Sequence, residues 1–188
     1  MDKKTLRKIY LEKRKALALN EKILLENLII KHLFDNFCFE GTISSCFLPI
    51  SSNSEIDTWQ LISAISAAHG QIALTVWDME TNNLSNRLYT DQTKIVLNTY
   101  GIPEPKNGPF VDNYHLDYVF VPLLIADVNG HRVGYGKGVY DRFLKKCSPK
   151  TKFIGLSLFD LESKISDINS FDVPLHVCIT PTKCSYFE

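Results

Sequence analysis

The sequence predicts a single-domain α/β fold, a three-layer Rossmann-like arrangement with a mainly parallel sheet, helices on both faces and an N-terminal helical arm. Its 188 residues suit one domain. A hydrophobic share of 45% and a charged share of 22% are ordinary for globular proteins and exclude disordered, collagen-like and disulfide-stapled chains. Short β-rich runs alternate with helical segments, as in parallel sheets with crossover helices.

The elements follow one another along residues 1–188 without a linker or an internal repeat. The helical arm covers about residues 2–35, and its first helix covers 3–19. Residues 118–126 form the most hydrophobic run, which predicts one strand covered on both faces. Residues 79–116 have no clear period, and we expect long functional loops there. The other predicted strands are 42–48, 71–77, 152–158 and 177–180, and the other predicted helices are 58–69 and 140–147.

The charge distribution favours small anionic ligands. Lys+Arg and Asp+Glu both number 21, so the net charge is zero, which argues against a general nucleic-acid binder. The segments 1–15 and 131–152 nevertheless each carry seven lysines or arginines. A nucleic-acid-binding module would also need exposed stacking aromatics or an RRM-like motif, and neither is visible. We therefore expect small-molecule partners, no nucleic acid and no membrane.

The cysteines indicate a reducing compartment. There are five of them, an odd number without a C-x-x-C pair, so we expect reduced, mostly buried thiols. The N-terminus is charged rather than an apolar signal, and the run 118–126 is too short to span a bilayer. We expect a cytoplasmic monomer.

The first helix carries cations beside its apolar face. At 100° per residue, Leu6, Ile9, Tyr10 and Leu17 share one face. An ordinary solvated helix surface would explain the cations equally well. A stripe of cations beside a buried face can instead reach a bound anion. The flanking cations are Lys3, Arg7 and Arg14, and those on the solvent side are Lys4, Lys8 and Lys15.

A glycine-rich segment after the most hydrophobic run is the strongest chemical signal. Gly134, Gly136 and Gly138 alternate, so the backbone can approach a ligand and direct N–H groups at it. Lys137 lies within this loop as a mobile charge, and Asp141 follows one turn into the next helix as an oxygen ligand for Mg²⁺. The spacing matches neither the P-loop nor the dinucleotide fingerprint. A turn that needs positive φ angles is the alternative, and spacing alone stops at a nucleotide or phosphate site.

The same segment carries a family resemblance. The run DYVFVPLLIADVNGHRVGYGKGVYDRFL resembles the signature of 5-formyltetrahydrofolate cyclo-ligases, also called methenyltetrahydrofolate synthetases. Four further stretches agree in the same order over residues 3–182. They are KKTLRKIYLEKRKAL, FLPISSNSEIDT, GIPEP and FDVPL…ITPTK.

The resemblance implies a reaction. It implies that 5-formyltetrahydrofolate closes to 5,10-methenyltetrahydrofolate while ATP is split to ADP and phosphate in the presence of Mg²⁺. The formyl oxygen attacks the γ-phosphate, which converts a poor leaving oxygen into phosphate before N10 closes the ring. A ligase on the same fold with a changed acceptor is the alternative enzyme, and a nucleotide-binding protein without catalysis is a third possibility.

The resemblance also assigns residues. Lys137 and Tyr140 would be catalytic, and Asp141 and Asp172 would hold Mg²⁺. The folate would contact Leu48, Glu55 and part of the glycine loop, namely Tyr135, Gly136, Lys137, Gly138 and Val139. ATP would contact Lys3, Arg7, Arg132, Gly134, Tyr135, Gly136, Lys137, Gly138, Val139 and Tyr140.

Simpler explanations remain open for several of these residues. Glu55 is equally suited to the start of a helix, Asp172 and Glu104 to turns, and Tyr140 to the core. Asp141 is in reach of a surface pair with Arg142 or Lys145. The chain departs from the family pattern where Val139 replaces an aromatic and Thr75 a proline, and residues 79–95 lack a recognisable folate wall.

Overall fold

A computed structural model describes residues 1–187 and contains one large sheet. The helices are α1 (Lys3–Ala16), α2 (Leu19–Asn36), α3 (Thr58–Ala67) and α4 (Val139–Leu144). The strands are β1 (Ile43–Cys46), β2 (Gln71–Asp78), β3 (Asn83–Leu88), β4 (Ile95–Leu97), β5 (Pro103–Pro105), β6 (Phe110–Val111), β7 (Tyr118–Val121), β8 (Ile125–Ala126), β9 (Arg132–Val133), β10 (Lys152–Leu156), β11 (Val177–Ile179) and β12 (Cys184–Tyr186). Eight strands form the large sheet in the order β12-β11-β10-β7-β1-β2-β3-β6, and β4-β5 and β8-β9 form separate two-stranded ribbons.

The centre of the sheet is parallel and its edges are antiparallel. Strands β11, β10, β7, β1 and β2 pair in parallel, whereas β12, β3 and β6 join in antiparallel pairs. The predicted fold class is therefore confirmed. The parallel strands run to a common edge, where a ligand site is expected in such sheets.

Alternating side chains of the central strand pack against the two helical layers. In β7, Phe120 belongs to the core shared with α2 and α3, while Val119 and Val121 belong to the core shared with α4. All three are 0% exposed, which explains why the strand is apolar throughout. A third cluster joins Leu6 of α1 to the β8-β9 ribbon.

Two sequence expectations about these elements were wrong. The run 118–126 is not one strand, because β7 ends at Val121 and β8 pairs with β9 instead. Pro122 lies at the break and has no N–H to donate to a ladder. Residues 79–116 also contain four short strands, β3 to β6, whose mixed polarity reflects their partial exposure.

The helical arm consists of two helices, α1 and α2, which together cover nearly the predicted range of about 2–35. Asp2 caps α1 by accepting a hydrogen bond from the Thr5 amide at 2.8 Å. The helix ends at Ala16, three residues earlier than predicted, where Leu17 takes an extended backbone. The ranges 58–69, 71–77, 152–158 and 177–180 are confirmed as elements, within two residues at most ends.

A buried carboxylate organises the turn that leads to the glycine loop. Asp127 is 0% exposed, and its Oδ1 accepts hydrogen bonds from the amides of Asn129 at 2.9 Å and His131 at 3.0 Å. Its Oδ2 accepts from the Ile165 amide at 2.9 Å. The side chain thereby ties the β8-β9 turn to a segment 38 residues later.

Within residues 1–187, no helix is both long enough and apolar enough to cross a membrane. The five cysteines in this part of the chain are free thiols. Burial raises the pKa of the Cys46 thiol to about 12, which keeps it protonated and unreactive.

We expect Asp127→Ala to lower the free energy of unfolding by about 3–5 kcal/mol, because it leaves the buried Ile165 amide and the part-buried amides of Asn129 and His131 without their acceptor. Asp127→Asn keeps one acceptor oxygen and should cost less. Urea unfolding followed by circular dichroism measures both. The exposed Asp91→Ala is the matched control and should stay within about 0.5 kcal/mol of the wild type. An Asp127→Ala protein as stable as this control would contradict the structural role.

Candidate active site

A cavity of about 1000 Å³ lies beyond the carboxyl ends of the parallel strands. Phe47 and Leu48 follow β1, Thr75 and Trp77 lie in the second half of β2, and Pro122 follows β7. The glycine loop and the start of α1 form the other side. The structure thus brings nearly all the predicted site residues to one place. They are Lys3, Arg7, Leu48, Glu55, Arg132, Gly134, Tyr135, Gly136, Lys137, Gly138, Val139, Tyr140, Asp141 and Asp172.

The glycine loop needs glycine at two positions. Gly136 and Gly138 have φ angles of +90° and +63°, which other residues rarely adopt. A Cβ on Gly136 would also lie 3.1 Å from Nη2 of Arg7. The alternative that the sequence left open, a turn with positive φ angles, thus holds at Gly136 and Gly138. The nearest group to the Gly136 position is the Arg7 guanidinium.

Cations of α1 lie along this loop, as the helix spacing predicts. The Arg7 Nε donates to the Gly134 carbonyl at 2.8 Å, and the Lys3 ammonium pairs with Asp172. Lys4, Lys8 and Lys15 are exposed. The sequence separates these two sets correctly because one helix face must pack against the β8-β9 ribbon.

Two carboxylates each keep one oxygen available. Asp141 Oδ1 accepts from Arg132 Nη2 at 2.7 Å and from the Val173 amide at 3.1 Å. Asp172 Oδ2 accepts from Lys3 and from the Asn169 amide at 2.9 Å. Among residues 1–187, the other oxygen of each accepts no hydrogen bond. Asp141 thus pairs with Arg132 rather than with either surface cation considered from the sequence.

Burial and neighbouring charges shift the pKa values of Asp172 and Arg132. Burial acts to raise the pKa of Asp172, but hydrogen bonds from Lys3 and Asn169 outweigh it and leave the pKa below its usual value. Burial lowers the pKa of Arg132, against the opposing effect of Asp141. No cluster of three or more His, Cys, Asp or Glu side chains suited to a metal occurs in residues 1–187.

Lys137 lies against two aromatic rings. Its Nζ is 4.1 Å from the centroid of the Trp77 ring and 4.8 Å from that of Tyr100, within cation–π range. Glu104 accepts from the Trp77 amide at 2.9 Å. Sequence reasoning missed this aromatic wall, although Trp77 ends a predicted strand and Tyr100 precedes the GIPEP turn.

Glu55 is a buried acceptor that also lines the cavity. It is 5% exposed, accepts from the Tyr135 hydroxyl, and accepts from the Ile50 amide at 2.7 Å. Burial raises its pKa. The helix-start alternative for Glu55 is wrong, because Asp57 caps α3 by accepting from the Trp59 amide at 3.0 Å.

The remaining predicted residues line the cavity through local packing. Leu48 is buried beside Glu55, and Val139 begins α4 at the end of the loop. Tyr140 packs edge-on against Phe143 with ring centroids 6.0 Å apart. Burial raises the pKa of Tyr140 well above its usual value, so its hydroxyl keeps its proton. Tyr140 therefore belongs both to the core and to the cavity wall.

Comparison with known proteins agrees with this arrangement. The family model described as the 5-formyltetrahydrofolate cyclo-ligase family matches residues 1–181. The chain belongs to that family. The resemblance found in the sequence is thus confirmed, and the chain is an enzyme of the cyclo-ligase type.

Relatives and solved structures support the family assignment. The 5-formyltetrahydrofolate cyclo-ligase of Escherichia coli (strain K12) is 32% identical over 139 residues, which cover 71% of this chain and 76% of that protein. The mouse enzyme of the same name is 28% identical over 152 residues, covering 77% and 70%. A solved 5,10-methenyltetrahydrofolate synthetase from Aquifex aeolicus superposes with a TM-score of 0.83 at 27% identity, covering 100% of this chain and 94% of that one. The Mycoplasma pneumoniae synthetase, at 21% identity and a TM-score of 0.73, covers 96% and 99% and shares the fold.

The raised pKa of Glu55 predicts a pH-dependent contribution to stability. Because folding favours its protonated form, this contribution is complete below the unfolded value of about 4.3 and is lost as pH rises through the folded pKa. The free energy of unfolding of the wild type relative to Glu55→Gln should therefore decrease between about pH 4 and pH 8. Urea unfolding of both proteins across this range measures it, and a difference that is constant or increases with pH would contradict it.

Proposed function

We propose that the chain catalyses the ATP- and Mg²⁺-dependent conversion of 5-formyltetrahydrofolate to 5,10-methenyltetrahydrofolate, with release of ADP and phosphate. The position of Lys137 is the observation that carries this proposal. Its backbone belongs to the glycine loop, and its ammonium lies on the aromatic wall. Lys137 therefore lies between two halves of the cavity. The half beside the glycine loop suits an anion, and the half beside the aromatic wall suits a flat heterocycle.

The anion-binding half suits a nucleoside triphosphate. Arg7, Lys3 and Arg132 approach the loop from α1 and β9, and the loop backbone is exposed to the cavity between them. Guanidinium and ammonium groups next to glycine amides are the usual partners of phosphate oxygens. Lys3 and Arg132 are held in place by Asp172 and Asp141.

The other half suits the folate. The rings of Trp77 and Tyr100, 5.4 Å apart, offer apolar faces to a pterin or benzoyl ring. Glu55 also lines the cavity, and its carboxylate can accept hydrogen bonds from the amino and ring N–H groups of a pterin. Leu48 and Val139 complete this apolar lining.

The chemistry requires charge compensation where the two halves meet. The formyl oxygen forms a bond to the γ-phosphorus while the bond from that phosphorus to the β-phosphate oxygen breaks, which releases ADP. N10 then attacks the formyl carbon and loses its proton, and phosphate leaves with the former formyl oxygen. Lys137 leaves the aromatic wall as the folate enters and stabilises the transferring phosphoryl group. The protonated Tyr140 hydroxyl borders the same space.

The carboxylates of Asp141 and Asp172 suit Mg²⁺. Each has an oxygen that accepts no hydrogen bond from residues 1–187. Mg²⁺ is commonly held by one or two carboxylates together with phosphate oxygens and water, which agrees with the absence of a larger ligand cluster in the described chain. When bound, the ion supplies positive charge to the phosphates.

We propose that the enzyme acts as a cytoplasmic monomer on these small molecules. The free thiols agree with a reducing compartment.

The decisive experiment follows the long-wavelength absorbance of the methenyl product. Purified protein is mixed with 5-formyltetrahydrofolate, ATP and Mg²⁺, and each component is omitted in turn. We expect the absorbance to rise only when all three are present. No rise from a protein that still binds ATP would overturn the proposed acceptor.

Lys137→Ala should lower kcat by about a hundredfold or more, because the ammonium acts mainly on charge in the transition state. The dissociation constant for ATP should change by less than about threefold. Steady-state kinetics and calorimetric ATP titration separate the two. The exposed Lys150→Ala is the control for losing one basic residue. Equal losses in kcat and ATP affinity would remove Lys137 from the catalytic role.

Arg7→Ala should weaken ATP binding by about tenfold or more, since it removes a charge-assisted donor. Its circular dichroism spectrum should match the wild type. The neighbouring exposed Lys8→Ala should bind ATP normally. An unchanged ATP dissociation constant for Arg7→Ala would contradict the binding role and would favour the alternative that the α1 cations belong to an ordinary solvated helix surface.

A further inference from the structure

Arg14 is a buried cation that the proposed chemistry does not use. It is 2% exposed, and among residues 1–187 it is the only fully buried lysine or arginine. It forms no salt bridge with any carboxylate of the described chain. Burying a guanidinium without a paired carboxylate is costly. The contacts that it does make are therefore of interest.

These contacts join three separate segments behind the cavity wall. Arg14 Nη2 donates to the Leu123 carbonyl, next to the Pro122 break. Its Nη1 donates to the Tyr135 hydroxyl at 3.3 Å. That hydroxyl donates in turn to Oε1 of Glu55. The Tyr135 hydroxyl thus connects the Arg14 guanidinium to the Glu55 carboxylate. Arg14, Tyr135 and Glu55 form one continuous chain of hydrogen bonds.

Only part of this chain of hydrogen bonds lines the cavity. Tyr135 and Glu55 line the cavity, whereas Arg14 lies behind them. The second oxygen of Glu55 accepts from the Ile50 amide at 2.7 Å, so the carboxylate is fixed from both sides. Rotation of Tyr135 would release one of these sides.

We propose that Arg14 is a positioning residue for the folate end of the site, which fixes the Tyr135 hydroxyl and, through it, the Glu55 carboxylate. This inference rests on the proposed function. It extends that function to a side chain outside the cavity. Arg14 contributes in two ways. It orients Glu55, and its positive charge favours the ionised form of that carboxylate, which burial disfavours.

The charge makes the proposal testable by pH. Burial raises the pKa of Glu55, while Tyr135, the Ile50 amide, Arg14 of α1 and Lys22 of α2 act to lower it. Without Arg14 the pKa of Glu55 rises further. Glu55 then needs a higher pH to become the ionised acceptor, so the acidic limb of kcat/KM moves to higher pH.

The experiment compares Arg14→Met, Tyr135→Phe and the double variant with the exposed control Lys15→Met. We expect Arg14→Met to raise KM for 5-formyltetrahydrofolate by about tenfold and to move the acidic limb upward, with KM for ATP changed less than about threefold. In the double variant, KM for 5-formyltetrahydrofolate should be no higher than in the more impaired single variant, because both substitutions break the same chain of hydrogen bonds. Lys15→Met should match the wild type.

Folding is checked by circular dichroism, and Arg14→Lys gives a second measurement if Arg14→Met does not fold. Lysine keeps the charge and one donor, so its KM and pH profile should lie between those of wild type and Tyr135→Phe. Multiplicative losses in the double variant, or a normal folate KM and pH profile in an active Arg14 variant, would overturn the inference alone. An inactive wild-type protein would overturn the proposed reaction as well.

Discussion

The three amides bound by Asp127 determine where the glycine loop begins. The chain leaves the central strand at Pro122, forms the β8-β9 ribbon, and returns toward the sheet edge as the loop. The buried Asp127 carboxylate accepts hydrogen bonds from three main-chain donors and so holds the turn of the β8-β9 ribbon, on which α1 packs. The cations of α1 reach the loop from that packed position. The geometry of the candidate site therefore depends on a carboxylate that does not itself line the cavity.

Most of the fold follows from local patterns in the sequence. The apolar runs, the helix spacing in α1 and the glycine alternation each constrain a short segment, and the structure agrees with them. The errors arose where local pattern and tertiary pairing differ. Residues 118–126 are uniformly apolar because both β7 and the β8-β9 ribbon are buried, and hydrophobicity alone does not distinguish one strand from two. Of the strands within 79–116, β6 is an edge strand, β4 and β5 form a separate ribbon, and β3 is half-buried along most of its length, so alternation is weak.

The candidate site was predictable where chemistry and sequence proximity coincide. The loop from Arg132 to Asp141 is one segment, and its residues lie in one cavity wall. The aromatic wall was not predictable in this way, because Trp77 and Tyr100 meet Lys137 only through tertiary packing. Arg14 was placed on the correct helix face, yet its partners lie more than 100 positions away. Such contacts leave no local signal in a single sequence.

The pairing of α1 with the rest of the site has a consequence for the order of assembly. Lys3 meets a partner 169 positions away, Arg7 one 127 positions away and Arg14 one 121 positions away. Contacts this distant in sequence form late, since a long loop must close first. During synthesis from the N-terminus, α1 emerges long before the segments that it binds. The cationic side of the candidate site is therefore complete only after residues 3–14 have packed against residues 134–172.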